Sequence, residues 1–333
     1  MPDAKVSDAD YIDHLIVAPL YVTATEAAKV APIAADPPAH DAFTRLLHRL
    51  EPDAEALWVE AQTQLIRTEG ALVLDDSTLD KPYARVIELV TRHWSGKHKA
   101  VVRGINLITL LWTDGDRAVP CDYRVYDKDD ERTKNDHFAA MLHVAKERGF
   151  EPRCVLFDGW YSSLDNLKLV KSLGWTWLTR LKSNRLVNRN FAGLRPLANT
   201  DIAASGTEVW LKGYGLVKVF KMVSAHGDIG YWATNDLTMT ELDRLKWADA
   251  SWKIEHYHRG IKQFTGIERC QCRKAVAQRN YIGLAIRAFL RLESHAFHFG
   301  VSWMETKKQQ LLRAAIRDYL DKPKIRLVPR PTA

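Results

Sequence analysis

Two hydrophobic periods run along this chain, and the change between them divides it. Residues 7–69 carry the helical period. "DAFTRLLHRL" and "PDAEALWVEAQTQLI" place apolar residues three and four apart, with "EPD" between them. "ADPPAHDA" reads as a turn, because Pro37 and Pro38 break any helix. A small helical region follows from this, with a helix-turn-helix as one form it can take, either reading the bases of a DNA end with a few residues or serving as packing. At residue 71 the period shortens. "ALVLDDST" is an apolar run ending in two acids and turn formers, the pattern of a buried strand. "AVVRGINLITLLWTDGDRAVPCDYRVYD" reads as two strands joined at "TDGD", a hairpin signal. "NDHFAAMLHVAKERG" reads as a helix stopped by Gly149. "PRCVLFDGWY" is another buried strand ending in an acid. "SSLDNLKLVKSLG" is a helix with a Ser cap, and "WTWLTRLK" is a strand.

Three adjacent strands followed by strand–helix alternation predict a mixed sheet with helices on its faces. Residues 182–246 differ. "TEVWLKGYGLVKVFKMVSA" and "DIGYWATND" alternate as strands do, with Gly-containing turns, and read as a β-rich insertion. Helices resume near residue 239 and continue to about 320. The expected organisation is a helical region over 1–70, the first part of a core over 71–181, the insertion over 182–246, a helical part of the core over 247–320, and a basic Pro-rich tail over 321–333.

Charge sharpens the picture more than composition does. Among 333 residues, hydrophobic content is 46%, enough for a sizeable core. The formal net charge is +7, but residues 1–70 hold five Lys/Arg and twelve Asp/Glu, a net of −7. The remainder therefore carries +14. A positive body of this size suits a polyanion, of which DNA and RNA are the commonest. No apolar run reaches the ~20 residues of a membrane helix. The start, "MPDAKVSDADYIDHL", lacks the basic-then-apolar pattern of a secretory signal, so a cytoplasmic protein is expected. Cys121, Cys154, Cys270 and Cys272 are too few and too scattered for a disulfide framework. "CQC" with His256 and His258 fits no standard zinc spacing, and reduced thiols are expected.

The candidate chemistry lies in acids at strand ends. Asp75 and Asp76 end the first strand, and Asp158 ends the fourth. If those strands are neighbours, carboxylates from distant sequence meet at one edge, where such sheets form sites. Close like charges repel unless a cation sits between them, and Mg²⁺ is the natural oxygen-liganded partner. Adjacent strand residues face opposite ways, so only one of Asp75 and Asp76 can contribute. Three apolar residues precede Asp75, which favours it. "SWKIEHYHRGIKQ" supplies a third acid. On a helix, Glu255, Arg259 and Lys262 share one face, a carboxylate beside bases that can hold phosphates. Glu268 is the next candidate for that acid. Arg269, Arg273, Lys274 and Arg279 continue the positive surface, and residues 251–280 hold seven bases and two acids.

"LVLDDST", "VLFDGWY" and "WKIEHYHRGIKQFTG" together resemble a DDE transposase of bacterial insertion sequences, specifically the insertion-sequence-four superfamily with its "701" relatives. The resemblance covers roughly residues 70–295. In that group a β-strand insertion separates the second Asp from the Glu, and a Tyr, Arg, Glu, Lys signature surrounds the Glu. Glu255 and Lys262 keep the signature's spacing, while Ala248 stands where it has Tyr and Ser251 where it has Arg. Arg259 or His258 could take the place of that Arg. The resemblance implies a ribonuclease-H-like α/β core with Asp75, Asp158 and Glu255 as catalytic residues and metal ligands. Two Mg²⁺ ions are expected, with Mn²⁺ as a substitute. It implies cleavage at transposon inverted-repeat ends, a hairpin intermediate, strand transfer into target DNA, and a homodimer assembled on DNA. Lys262 would contact a phosphate near the cut. An insertion aromatic would stack on a flipped base, with Trp210 and Trp232 as candidates. Trp160, Tyr161, His137, His143, His295 and His298 read as packing or surface residues. Two other functions stand beside this one: a ribonuclease-H-like structure-specific nuclease, and a transposase-derived DNA-binding protein without activity.

Overall fold

The computed structural model describes residues 4–18, 22–31, 37–95, 99–311 and 313–314. The expected basic tail, 321–333, lies outside them. Helices α1 (Asp8–Val17), α2 (Ala24–Val30), α3 (His40–Arg49) and α4 (Glu55–Ala61) open the chain. Strand β1 (Ala71–Asp80) follows, then β2 (Thr91–Ser95), β3 (Ala100–Thr113) and β4 (Val119–Tyr126). Helix α5 (Lys134–Glu147), β5 (Cys154–Phe157), α6 (Leu164–Ser172) and β6 (Trp177–Leu181) complete the alternating part.

The apolar run that opens β1 is buried on both faces, as a central strand requires. β1 pairs antiparallel with β3 and parallel with β5, and β5 pairs parallel with β6. β4 lies antiparallel along the far side of β3. The order β4-β3-β1-β5-β6, with three antiparallel strands and then two parallel ones, is the ribonuclease-H-like mixed sheet. β2 was not anticipated from sequence. It pairs with the first residues of β3, beyond the end of β4.

The insertion is part of this same sheet. Its strands β7 (Leu186–Asn188), β8 (Leu194–Pro196), β9 (Thr207–Leu211), β10 (Gly215–Val223) and β11 (Ile229–Thr234) run outward from β6. β11 pairs antiparallel with β6, Trp232 opposite Arg180. The insertion therefore stands on the core's own backbone hydrogen bonds. Helix α7 (Glu241–Phe264) begins close to residue 239, where the sequence pattern has helices resume, at a capping box in which Thr240 and Asp243 bond reciprocally. Helix α8 (Ala275–Phe299) follows.

Helices cover both faces. Lys134, at the start of α5, reaches Asp76 on one face of β1. α7 lies across the other, where Tyr257 meets Thr109, the residue directly opposite Asp75. Gly260 lets α7 approach α8: a Cβ there would lie 2.5 Å from the Phe289 ring. No helix among the described residues is long and apolar enough to cross a membrane.

The N-terminal helices pack on α8 and share its core. Asn280 donates to the carbonyls of Leu47 and Leu50, at 2.8 and 2.6 Å. The acidity of this region is partly answered there. Arg287 bonds Asp8 at 2.7 Å and Glu60 at 2.6 Å, and Arg291 bonds Glu60 at 3.2 Å. Burial alone would raise the Glu60 carboxyl. Hydrogen bonds and charge from Arg291 and Arg287 outweigh it and hold the group below its ordinary value of 4.5. Such a group stabilises the fold above its unfolded pKa and loses that contribution as pH falls through the folded one. Arg287→Ala should therefore cost about 2 kcal/mol at neutral pH, the scale of charge-assisted hydrogen bonds. Urea unfolding of both proteins should show the difference shrinking as pH falls below 4.5. A difference independent of pH would assign the loss to packing.

Candidate active site

The site begins with a register. β1 and β5 pair from Ala71 beside Cys154 to Leu74 beside Phe157, and there the pairing ends. β1 continues along β3, while the chain after Phe157 turns into the single helical turn Gly159–Tyr161. Asp75 and Asp158 are the next residue of each chain. Neighbouring strands lie ~4.8 Å apart, so the two acids emerge side by side where the strands part. Asp158 also caps the turn, accepting from the Trp160 amide at 3.4 Å.

α7 brings the third carboxylate. Its buried residues Ile254, Tyr257 and Ile261 face the sheet, and Glu255 is exposed on the side toward the strand ends. Asp75, Asp158 and Glu255 line one cleft of about 310 Å³, together with Arg180, Trp232, Ser251, Trp252 and Ile254. The Asp75 carboxyl is pushed well above its ordinary range, first by burial, then by the charges of Asp76, Asp158 and Glu255.

Asp76 points the other way and is fully engaged. Its carboxylate accepts from Asn106 at 2.7 Å, Lys134 at 2.8 Å and the Tyr161 hydroxyl at 3.0 Å. Burial raises its pKa, but the Lys134 charge and these bonds prevail and lower it. Of the two adjacent acids, Asp75 alone lines the cleft.

The donor set is all oxygen, which suits a hard divalent cation. Among the described residues, no three His, Cys, Asp or Glu side chains converge closely enough to enclose an ion unaided. Mg²⁺ is commonly held by one or two carboxylates, waters and substrate phosphates, so an open acidic cleft fits it. The Cys270/Cys272 and His256/His258 combination forms no metal group either. His258 is buried, and burial pushes its pKa down to about 3. It cannot stand in for a signature arginine at the cleft, whereas Arg259 is exposed on the Glu255 face.

Other residues singled out from sequence fall in several places. Lys262 is occupied: its ammonium donates to the Thr78 carbonyl at 2.7 Å and pairs with Glu268 at 3.4 Å. That tie fixes α7 to the end of β1 and makes Glu268 a brace for Lys262, outside the cleft lining. Arg269, Arg273 and Lys274 are exposed in the loop after α7, with Lys274 paired to Glu88 at 3.0 Å. Arg279 is drawn to Asp127 at 3.2 Å. Trp232 is only 7% exposed, with the Arg180 guanidinium 5.2 Å above its ring. Its face is covered, contrary to the role of an open stacking platform. Trp210 is 57% exposed, on β9 and outside the cleft lining.

Arg180 and Trp252 were missed as site residues. Arg180 sits at an exposed position of β6, one residue past Thr179, which pairs with Phe157, so the β5–β6 register sets it beside Asp158. Trp252 lies one turn before Glu255, is 59% exposed and lines the cleft. An exposed Trp on a helix face that also carries an acid and a base is the signal that could have found it.

Comparison with known proteins adds a family. No curated protein sequence matches the chain. Among solved structures, the cryo-EM structure of the piggyBac transposase synaptic complex with hairpin DNA aligns over 98% of this chain and 76% of that one, at 12% identity and a TM-score of 0.49. The crystal structure of the Mos1 strand transfer complex aligns over 53% and 58%, at 12% identity and a TM-score of 0.20. Both likenesses are too weak to carry an argument. The family model described as DDE superfamily endonuclease matches residues 21–202, which include β1 and β5 and stop short of Glu255. That match spans more than half of the sequence, and by it the chain belongs to the DDE superfamily endonucleases.

Proposed function

We propose that the chain is a DNA transposase in which Asp75, Asp158 and Glu255 form the catalytic centre. The observation that carries this reading is the gathering of these carboxylates, from β1, β5 and α7, in one cleft beside Arg180 in a DDE superfamily endonuclease. The placement of a β-rich insertion between the second Asp and the Glu supports the finer assignment to the insertion-sequence-four superfamily and its relatives. Cut-and-paste transposition through a hairpin, and a homodimer on DNA, go with that assignment.

The three carboxylates would hold divalent cations, two Mg²⁺ or Mn²⁺ as a substitute. Such ions supply Lewis acidity and stabilise the attacking and leaving oxygens of an in-line displacement. The chain's own residues do the rest. Arg180 and Arg259 hold non-bridging phosphate oxygens at the cleft, neutralising charge that grows in the transition state. Trp252 offers an open ring for a base at the cut. Lys134, Asn106 and Tyr161 hold Asp76, which keeps β1 turned so that Asp75 faces the cleft. Asp76 is thus a positioning residue.

Strand cleavage of the encoding element's own terminal DNA, with Mg²⁺ and with EDTA, tests the centre. Wild type should cut only with metal, and Asp75→Asn, Asp158→Asn or Glu255→Gln should each lower the rate on the order of a thousandfold. Equal cleavage by Glu255→Gln would move the third acid elsewhere. Joining of the freed 3′ end to a second duplex separates a transposase from a structure-specific nuclease, which would cut without joining. Tight binding without cleavage under any metal would identify an inactive DNA-binding descendant.

Arg180→Ala should slow the same cut by about a hundredfold, the scale of one lost transition-state contact. Arg180→Lys should recover part of the loss. A rate unchanged in Arg180→Ala would leave this residue only the role of covering Trp232.

A further inference from the structure

The β2–β3 hairpin holds a charge arrangement that the fold itself does not use. Arg92 lies directly opposite Arg103, and Trp94 opposite Val101. Directly opposed residues share a face, as do residues two apart along a strand, so all four stand on one surface. Trp94 is 67% exposed and Val101 60%, and both arginines are exposed. The other face of the hairpin packs: His93 is buried, with its ring 6.4 Å from that of Tyr126. Like charges directly opposite each other destabilise an antiparallel pair. Neither guanidinium has a hydrogen bond or ion pair among the described residues that would relieve this. The Lys128 ammonium, bonded to the Arg92 carbonyl at 3.1 Å, adds a third positive charge nearby. Residues 81–103 hold six Lys/Arg and one acid, Glu88.

The pleat tells which way this surface looks. Asp75 is opposite Thr109, and Arg103 lies an even number of residues from Thr109 along β3, so it shares their face. The arginine pair is therefore on the same side of the sheet as the acidic cleft. At ~3.3 Å per residue it lies ~20 Å along the strand from Asp75. That is about six base pairs of B-form duplex at ~3.4 Å each. The loop after α7, with Arg269 and Arg273, is tied to the base of this arm. The Lys81 ammonium donates to the carbonyls of Glu268 and Cys270, each at 2.6 Å, and the Glu88 amide donates to the Arg273 carbonyl at 2.8 Å.

We propose that Arg92 and Arg103, with Trp94 beside them, grip the phosphate backbone of the duplex that leaves the cleft, about six base pairs from the cut phosphate. The proposal rests on the transposase reading above. A phosphate between the two guanidiniums turns their repulsion into a shared charge-assisted contact.

Salt dependence of binding to a terminal-DNA duplex tests it, measured for wild type, Arg92→Ala/Arg103→Ala, Arg92→Lys/Arg103→Lys and Lys146→Ala/Lys171→Ala. Lys146 and Lys171 lie on α5 and α6, across the sheet. The alanine pair should lower the slope of log affinity against log salt by about 2, with at least a tenfold loss of affinity. The lysine pair should keep the slope, and the control on α5 and α6 should not change it. Wild type on a duplex trimmed to about four base pairs beyond the cut should fall to the slope of the alanine pair. Thermal melting of the alanine pair should be unchanged or slightly higher, because a repulsive pair is gone. Equal slopes, or the same fall in the control, would overturn the proposal. So would unchanged DNA binding with a lost dimer in sedimentation, which would make this face a contact between two copies. Wild type that binds but never cuts counts against the reading of the cleft, while the slopes still decide the arm.

Discussion

The parting of β1 and β5 is the constraint on which the rest depends. Parallel pairing runs to Leu74 and Phe157 and stops, because β1 stays with β3 while β5 turns. The first residue past the pairing on each chain is an aspartate. α7 then has to lie where Glu255 can join them. Its apolar stripe of Ile254, Tyr257 and Ile261 fixes its rotation. Gly260, close against Phe289, sets how near it comes to α8. Lys262, holding the Thr78 carbonyl, fixes its far end to β1.

The two adjacent aspartates show how a strand separates structure from chemistry. They differ by one position and meet opposite surroundings. Asp76 faces Asn106, Lys134 and Tyr161, and its charge is answered within the protein. Asp75 faces two further carboxylates, and its charge is not. A fold seldom retains unrelieved repulsion among acids unless a ligand relieves it. The same logic extends to the arginine pair on the hairpin, with the sign reversed. One surface of the sheet thus carries an acidic cleft that calls for cations and, farther along, a basic pair that calls for an anion.

Much of this was legible in the sequence because the signals were local. Apolar runs ending in acids marked β1 and β5, and the Gly and Ser punctuation marked α5 and α6. Strand alternation allowed only one of Asp75 and Asp76 to face the site, and the three apolar residues before Asp75 favoured it. What escaped depended on pairing partners far along the chain. β2 is short, and "TRHWS" has no apolar alternation to mark it. Arg180 becomes a cleft residue only through the pairing of β6 with β5, whose register ends one residue before Asp158 and Arg180. Trp232 looked like an open aromatic because nothing in "DIGYWATND" says that an arginine will lie over it. The sequence pattern has helices resume near residue 239, and α7 starts at Glu241, where Thr240 and Asp243 have capping-box spacing, with Asp where Glu or Gln is more usual.

The charge asymmetry between the first 70 residues and the rest now has a physical sense. An acidic region on a DNA-binding protein would repel its ligand if its charges stood free near the basic surface. Here Asp8 and Glu60 are drawn onto Arg287 and Arg291 of α8, so part of that negative charge is neutralised against the core. The arginines so consumed are those that face the N-terminal helices. Arg92, Arg103, Arg180 and Arg259 are left exposed on the hairpin, on β6 and on α7. Long-range attraction depends on uncompensated charge and falls off over a Debye length of ~8–10 Å. Pairing the acids with α8 therefore limits the reach of their field and leaves the positive field over the cleft side of the sheet. The N-terminal helices can then pack on the core without adding the full field of their acids to the cleft side.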